Sequence, residues 1–195
     1  MTTVYFIRHA ESDISVRDPQ TRPLTPKGLK DRLLVTEFLQ DKNISAVYSS
    51  PFKRAVDTVS DFAGRYGYKI FEVYDLRERL SDGNSSLMEK KDFFAFIKKQ
   101  WDDFSFTLSD GECLNAVQKR NIDALNEILI QSENKNIAIG THGTALSTII
   151  NHYDKSYGFD DFMSMVDIMP WVVKMDFDGT NCEGITKIDL FKNAD

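Results

Sequence analysis

Short apolar runs alternate along this chain with longer segments in which apolar residues recur at helical spacing. The runs Val4-Tyr5-Phe6-Ile7 and Ile137-Ala138-Ile139 are continuous, which is typical of strands buried on both faces of a sheet. Residues 44–48 predict another strand, and residues 70–73 predict a weaker one. Between them the spacing predicts helices at about 26–40, after Ser50-Pro51, at 90–106, after Gly111, and at 145–150.

Proline marks where two of these helices should begin. Thr25 is a good N-cap and Pro26 suits the first helical position, and Ser50-Pro51 repeats the same pair of residue types. At the other end of the chain, residues 171–177 and 185–191 alternate in polarity around Asp178-Gly179. That pattern predicts a hairpin whose loop is longer than a two-residue turn.

The alternation of strands and helices predicts an α/β fold, a three-layer sandwich with a mainly parallel sheet and helices on both faces. A length of 195 residues suits one domain covering 1–195. Sheets of this kind bind ligands at the carboxyl ends of their strands. The predicted strand ends therefore matter most, and they carry Arg8-His9, the segment 49–54, and His142.

Composition narrows the classes of function. The net charge of −6 argues against a nucleic-acid partner and gives no reason to expect attraction to an anionic membrane. The two cysteines have no metal-like spacing and form no disulfide framework. The first residues show no signal peptide, and no apolar run is long enough to span a membrane, so a cytoplasmic protein is expected. The sequence predicts no oligomeric state.

Two of the three histidines follow predicted buried strands in the same manner. A lone Arg8-His9 pair would most simply be a solvated arginine beside a structural histidine, but His142 repeats the placement and precedes Gly143 and a helix. Glycine permits close backbone approach, and amides at a helix N-terminus favour an anion. Arg54 lies in the first turn of its helix, and its planar fork matches phosphate oxygens. An anionic substrate of an acidic protein would need such local positive charge.

Six blocks of sequence, in order along nearly the whole chain, resemble the histidine phosphatase (phosphoglycerate-mutase-like) superfamily. They are Arg8-His9-Ala10-Glu11-Ser12, Leu24-Thr25-Pro26-Lys27-Gly28, residues 47–58 with Ser49-Ser50-Pro51 and Arg54-Ala55, Leu76-Arg77-Glu78, Gly111-Glu112-Cys113, and Thr141-His142-Gly143. The length is similar to that of the phosphatase branch, because the mutase branch usually has extra segments in the region that covers the substrate.

The resemblance implies a role for each site residue. His9 would be the nucleophile that takes up the phosphoryl group, and Arg8, Arg54 and His142 would hold that group. The Gly143 amide would be an extra donor. Glu78 would protonate the leaving alkoxide and then activate water, although as a bare sequence feature it is more simply a solvated surface acid. The substrate would be a small phosphorylated metabolite, with no metal and no other cofactor.

Two positions depart from the family pattern. Ala10 replaces the usual glycine after the nucleophile, which would require a rebuilt loop if the backbone there needs a positive φ. Ser15 stands where the family commonly has an asparagine near the phosphate, and it is included as a shorter substrate-binding donor.

An aromatic-rich stretch falls in the segment at about 80–110, which covers the substrate in relatives. The helical spacing of 93, 97, 101 and 104 indicates a core face rather than a ligand site. Arg17, Arg22, Arg77 and Arg79 are candidates for contacting a second anionic group on the substrate. Two alternatives to a phosphatase stay open, a phosphoglycerate mutase and a non-catalytic phosphate-binding module.

Overall fold

The computed structural model describes residues 1–80, 90–108 and 111–192 of the chain. Its strands are β1 (Thr2–Arg8), β2 (Ile44–Ser49), β3 (Ile70–Glu72), β4 (Asn136–Thr141), β5 (Trp171–Asp178) and β6 (Asn181–Ile188). Its helices are α1 (Pro26–Leu39), α2 (Lys53–Tyr66), α3 (Lys90–Asp102), α4 (Leu114–Gln131), α5 (Gly143–Tyr153) and α6 (Phe159–Met165), with a 3-10 turn at Tyr74–Leu76.

The strands form one mixed sheet in the order β3-β2-β4-β1-β5-β6. β1, β2, β3 and β4 are parallel to one another, and β5 pairs antiparallel with both β1 and β6. The predicted α/β class with a mainly parallel sheet is confirmed. Because β4 lies between β1 and β2, the carboxyl ends of these three strands meet at one edge of the sheet.

Alternate residues of β1 face the two hydrophobic cores. Val4 and Phe6 pack in the cluster that includes α4, α5 and α6, whereas Tyr5 and Ile7 pack in the cluster formed with α1 and α2. β1 is therefore buried on both faces, which explains why its sequence is a continuous apolar run instead of an alternating one.

Three details differ from the sequence-based expectations. The second helix begins at Lys53 and not at Ser50-Pro51, and the Ser50 hydroxyl makes a contact described below instead of capping the helix. The terminal hairpin has a tight two-residue connection, Gly179-Thr180, in which Gly179 takes φ 59°. The prediction of a longer loop was wrong because β6 begins with polar residues, as an edge strand with exposed positions allows. α6 was not predicted.

The aromatic stretch on α3 is mainly core. Phe96, Ile97 and Trp101 are buried in the main hydrophobic cluster, and Phe93, Phe104 and Phe106 pack against it. This agrees with the core face that the spacing indicates. Among the helices of the described ranges, none combines the length and apolar character needed to cross a bilayer.

Candidate active site

Strand register places the three predicted strand ends side by side. β1 and β4 pair with Arg8 opposite Thr141, and the His9 amide donates to the Thr141 carbonyl oxygen at 3.0 Å. β2 joins the other side of β4, where the Ser50 amide donates to the carbonyl of Gly140 at 2.9 Å. Residues that are far apart in sequence therefore leave the sheet together.

The imidazoles of His9 and His142 face each other at this edge. Their ring centroids lie 5.3 Å apart at an interplanar angle of 62°. The Nδ1 atom of His9 lies 2.7 Å from the carbonyl oxygen of Ala10, which can only accept, so Nδ1 carries the proton in the neutral ring. The lone pair of the neutral ring then belongs to Nε2, the atom available as a nucleophile.

His142 is held by Ser50. Its Nε2 atom lies 2.7 Å from the Ser50 hydroxyl, which also accepts a hydrogen bond from the Phe52 amide at 3.2 Å. The hydroxyl can donate its proton to Nε2, and in that arrangement the ring proton lies on Nδ1. Nδ1 is buried and has no hydrogen-bond partner among the described residues. A buried N–H without a partner is costly, and an incoming anionic oxygen would satisfy it.

Both imidazoles are neutral at physiological pH. Burial, followed by the charge of Arg54, holds the pKa of His9 well below its usual value. The same two causes hold the pKa of His142 well below its usual value. Neutral rings are required of a nucleophile and of a ring whose other nitrogen accepts from a hydroxyl.

The guanidinium of Arg8 is held by hydrogen bonds from Nη1, while its Nε makes none to the described residues. Nη1 donates to the carbonyl oxygens of Met165 at 2.7 Å and Ile168 at 3.0 Å, while Nε is buried with no partner among the described residues. Burial lowers its pKa to about 10, so it stays charged at neutral pH. A Cβ built on Gly143 would lie 3.3 Å from Arg8 Nε. The close approach that this glycine permits is thus an approach to Arg8.

Arg54 supplies a second buried guanidinium. Its Nη1 donates to the carbonyl of Pro19 at 2.6 Å, and burial lowers its pKa to about 10. Thr58, one turn later on α2, donates to the Arg54 carbonyl at 2.7 Å and accepts from the Ala10 amide at 2.9 Å. That hydroxyl ties the helix carrying Arg54 to the residue after His9.

Glu78 lies at the N-terminus of α5, the helix that begins directly after His142. Its carboxylate accepts from the amides of Thr144 at 3.0 Å and Ala145 at 3.1 Å, and from the amide of Arg79 at 2.7 Å. Its charge raises the pKa values of Arg8 and Arg54 against the larger effect of burial, which places it near both guanidiniums. Two of the helix amides expected to favour a bound anion therefore hold Glu78.

The surroundings of Ala10 and Ser15 bear on the two departures from the family pattern. Ala10 is fully buried and does not have a positive φ, so no rebuilt loop is needed at this departure from the family pattern. Ser15 is exposed, and its hydroxyl donates to Asp13 at 2.7 Å. The structure does not bring Ser15 together with the two imidazoles, and its binding role stays a prediction.

Ser50 and Thr58 also contact the site, although neither was predicted as a site residue. Both belong to the segment that resembles the family, but only Arg54 was singled out there. Arg22, which is half-buried, also lowers the pKa values of His9 and Arg54 through its charge and so adds a third cation nearby. The described residues hold no group of three or more histidine, cysteine or acidic side chains that could bind a metal.

One edge of this α/β sheet presents two neutral imidazoles and two buried guanidiniums. Such a set of side chains is suited to binding and transferring a phosphoryl group. Residues 4–165 match the family model of the histidine phosphatase superfamily (branch 1), and the chain belongs to that superfamily. The family that the sequence motifs predicted is thereby confirmed, and so is the prediction of a phosphatase.

Known relatives fit this family. The chain is 31% identical over 163 residues to a proposed phosphoserine phosphatase of Hydrogenobacter thermophilus, covering 77% of each chain. It is 28% identical to the metal-independent phosphoserine phosphatase of Arabidopsis thaliana, covering 76% of this chain and 67% of that one. YhfR of Bacillus stearothermophilus superposes with a TM-score of 0.79 at 25% identity, over 94% of this chain and 95% of that one. These matches support the predicted metal-independent phosphatase.

Proposed function

We propose that this protein hydrolyses small phosphate monoesters through a phosphohistidine formed on His9. The observation that carries the proposal is the hydrogen bond from His9 Nδ1 to the Ala10 carbonyl, which directs the free lone pair to Nε2. The lowered pKa keeps that lone pair unprotonated at neutral pH. A positioned, neutral imidazole is the form that can displace an alkoxide from phosphorus.

His9, His142, Arg8 and Arg54 are proposed to bind the phosphoryl group, and together they are called the phosphoryl cradle. Arg8 Nε and His142 Nδ1 are both buried nitrogen atoms that have no hydrogen-bond partner among the described residues. Each cation about 4 Å from the phosphoryl group would contribute on the order of 4 kcal/mol at an effective dielectric near 20. Fixed donors of this kind stabilise a transferring group without having to reorganise.

Glu78 is proposed to act first as acid and then as base. In the first step His9 Nε2 forms a bond to phosphorus, the ester P–O bond breaks, and the Glu78 carboxyl gives its proton to the departing alkoxide. In the second step water attacks the phosphohistidine, Glu78 takes up the proton of that water, and the P–N bond breaks to release phosphate. One carboxyl can serve both steps because each step leaves it in the form that the next one needs.

Phosphorylated small carboxylic acids are the proposed substrate class, with O-phosphoserine as the first compound to assay. The support is the similarity to relatives named as phosphoserine phosphatases. Arg79 follows Glu78 and is 7% exposed, and its Nε and Nη1 have no partner among the described residues. It is proposed to contact the substrate carboxylate. The predicted substrate-covering segment at about 80–110 of the single domain lies partly outside the described residues, and its described part, residues 90–108, is proposed to cover the substrate.

A matched pair of substrates tests the substrate class. O-phosphoethanolamine lacks the carboxylate of O-phosphoserine but keeps its amine and its phosphate ester. We expect kcat/KM to favour O-phosphoserine in the parent, and Arg79→Met to reduce that preference about tenfold, because a buried charge-assisted hydrogen bond is lost. Equal rates on both compounds in the parent would remove the carboxylate from the proposal.

Trapping of the phosphoenzyme tests the mechanism. The protein is mixed with a ³²P-labelled monoester in EDTA and quenched in base, where phosphohistidine survives and phosphoserine does not. The parent should retain label and His9→Ala should retain none, whereas His152→Ala, which changes an exposed histidine, should match the parent. Label that persists in His9→Ala would contradict the proposal.

The same preparation separates the two alternatives. A mutase would convert 3-phosphoglycerate to 2-phosphoglycerate in the presence of 2,3-bisphosphoglycerate, faster than it releases phosphate. A non-catalytic module would bind vanadate or phosphate without turning over p-nitrophenyl phosphate. Steady release of phosphate without isomerisation is the expected result.

A further inference from the structure

The main chain around Glu78 belongs to no strand or helix, although two amides of α5 hold the Glu78 carboxylate. The 3-10 turn ends at Leu76, and the residues after it are irregular up to residue 80. Residues 75–80 are called the Glu78 loop. An acid that must protonate one particular oxygen cannot tolerate a mobile backbone, since a misplacement of about 1 Å can cost about 100-fold in rate. Some other group must therefore fix this loop.

Arg120, in the middle of α4, makes the required contacts. Its Nη1 donates to the carbonyl oxygens of Asp75 at 2.7 Å and Arg77 at 2.8 Å, and its Nη2 donates to the carbonyl of Glu78 at 3.2 Å. The carbonyls of Arg77 and Glu78 belong to the two peptide groups on either side of the Glu78 α-carbon. Arg120 thus holds the main chain both before and after the proposed acid.

Glu112 orients that arginine. Its carboxylate accepts from Arg120 Nε at 2.8 Å and from Nη2 at 3.0 Å, as a two-point ion pair. The same carboxylate accepts from the Leu80 amide at 2.8 Å and from Arg77 Nη2 at 3.3 Å. The side chain of Arg120 is 11% exposed and that of Glu112 is 16% exposed, so solvent screens this pair only weakly.

We propose that Arg120, oriented by Glu112, is a positioning residue that holds the Glu78 carboxyl at the leaving-group oxygen. All five N–H groups of the guanidinium are used, two on Glu112 and three on the Glu78 loop. A lysine could not replace it, because one ammonium cannot bridge a carboxylate and three carbonyls in a fixed plane. The proposal rests on the proposed role of Glu78 as acid and base.

The test compares two leaving groups. The leaving-group ratio is defined as kcat/KM for the best alkyl phosphate of a substrate panel divided by kcat/KM for p-nitrophenyl phosphate. p-Nitrophenolate departs without a proton, whereas an alkoxide needs one, so the ratio reports the acid. We expect Arg120→Met and Arg120→Lys to lower the ratio at least about tenfold, in the direction of Glu78→Gln. Glu112→Gln should lower it less, because it keeps one acceptor.

A control and a double variant distinguish positioning from general stability. Arg32 donates to the Asp57 carbonyl and the Ser60 hydroxyl, bridging α1 and α2 away from the Glu78 loop, so Arg32→Lys should leave the ratio unchanged. If Arg120 acts only through Glu78, adding Arg120→Lys to Glu78→Gln should lower the ratio no further, because the two changes remove one shared function.

Each remaining outcome overturns one specific claim. The leaving-group ratio could fall in Glu78→Gln but stay at the parent value in folded Arg120→Lys and Glu112→Gln. That result would contradict the positioning role of Arg120 and leave the role of Glu78 intact. Equal losses on both substrates in the Arg120 variants would likewise mean a merely structural role. A parental ratio in Glu78→Gln would instead remove the acid itself, and the positioning role would fall with it. Near-ultraviolet circular dichroism establishes that each variant is folded.

Discussion

The proposed phosphoryl cradle and the Glu78 loop lie in the same candidate site, but different interactions hold them. Strand register fixes the cradle, since His9 and His142 follow paired residues of β1 and β4 and are almost completely buried. The Glu78 loop has no such register, and side chains from α4 and amides from α5 hold it instead. A site can therefore have one half set by the sheet and one half set by long-range side-chain contacts.

The phosphoryl cradle and Glu78 also differ in charge. The cradle is a buried set of two cations and two neutral rings, with the cations and burial both lowering the histidine pKa values. The Glu78 carboxylate carries the compensating negative charge, which acts on the pKa values of Arg8 and Arg54 in the direction opposite to burial. Damage to the two halves should therefore differ in kind. Loss of the cradle should affect every substrate, and loss of the Glu78 loop should affect poor leaving groups most.

The largest effect is expected from Arg8→Met. Activity should fall about 10³-fold on both alkyl and p-nitrophenyl phosphates with the leaving-group ratio unchanged, because a preorganised donor to the phosphoryl group is lost. Methionine keeps a similar volume but leaves the carbonyls of Met165 and Ile168 without their donor, so the thermal midpoint should also fall, and activity is compared at a temperature where both proteins are folded. A loss of activity on alkyl phosphates alone would contradict the expectation that the cradle acts on every substrate.

Glu78→Gln is expected to lower kcat/KM about 100-fold on alkyl phosphates, the usual size of one general-acid contribution. The first turnover on p-nitrophenyl phosphate, followed by stopped-flow absorbance, should be nearly unaffected because that leaving group needs no proton. Equal activity of variant and parent on both substrates would remove Glu78 from the mechanism.

The pH dependence of stability should come from the cradle. The folded-state pKa values of His9 and His142 lie below the unfolded value of 6.5, so the unfolded chain binds more protons as pH falls below that value. Stability is complete above pH 6.5 and declines below it. Between pH 7.5 and 6.0 we expect a loss of about 1.5 kcal/mol for the pair in urea unfolding.

Two sets of variants sharpen that pH measurement. The double variant His9→Ala with His142→Ala should lose most of this pH dependence, because its unfolded chain no longer binds protons at these two positions. Arg32→Lys, which changes no histidine and no acidic residue, should keep it unchanged between pH 6.0 and 7.5. An unaltered slope in the double alanine variant would mean that other groups cause the decline.

Gly143→Ala should have the smallest effect, about fivefold to tenfold on kcat/KM for both substrates. The new Cβ would lie 3.3 Å from Arg8 Nε, and Arg8 cannot move freely because Met165 and Ile168 hold its Nη1. Gly158→Ala is the matched control, since its Cβ would meet nothing within 4 Å. Full activity of Gly143→Ala would show that Arg8 has room to adjust.

The sequence by itself determined the strand ends and the residue types placed there. The alternation of strands and helices predicted an α/β sheet, and the residues after two apolar runs, Arg8-His9 and Thr141-His142, were expected at one edge of it. The resemblance to the histidine phosphatase superfamily then predicted a phosphoryl site at that edge. This worked because burial on both faces leaves a clear apolar pattern, and because the parallel strands of such a sheet bring their carboxyl ends to one edge.

Tertiary structure alone decided how those side chains are held. Ser50 looked like a helix cap in the sequence, yet its hydroxyl binds His142 and the helix begins three residues later. Arg120 matched no motif, because its partners on the Glu78 loop are backbone carbonyls some 40 residues away, and carbonyls are the same for every residue type. Periodicity reports which face of an element is buried. Periodicity does not predict which buried hydroxyl or guanidinium contacts which main-chain group, because those contacts depend on how the elements pack.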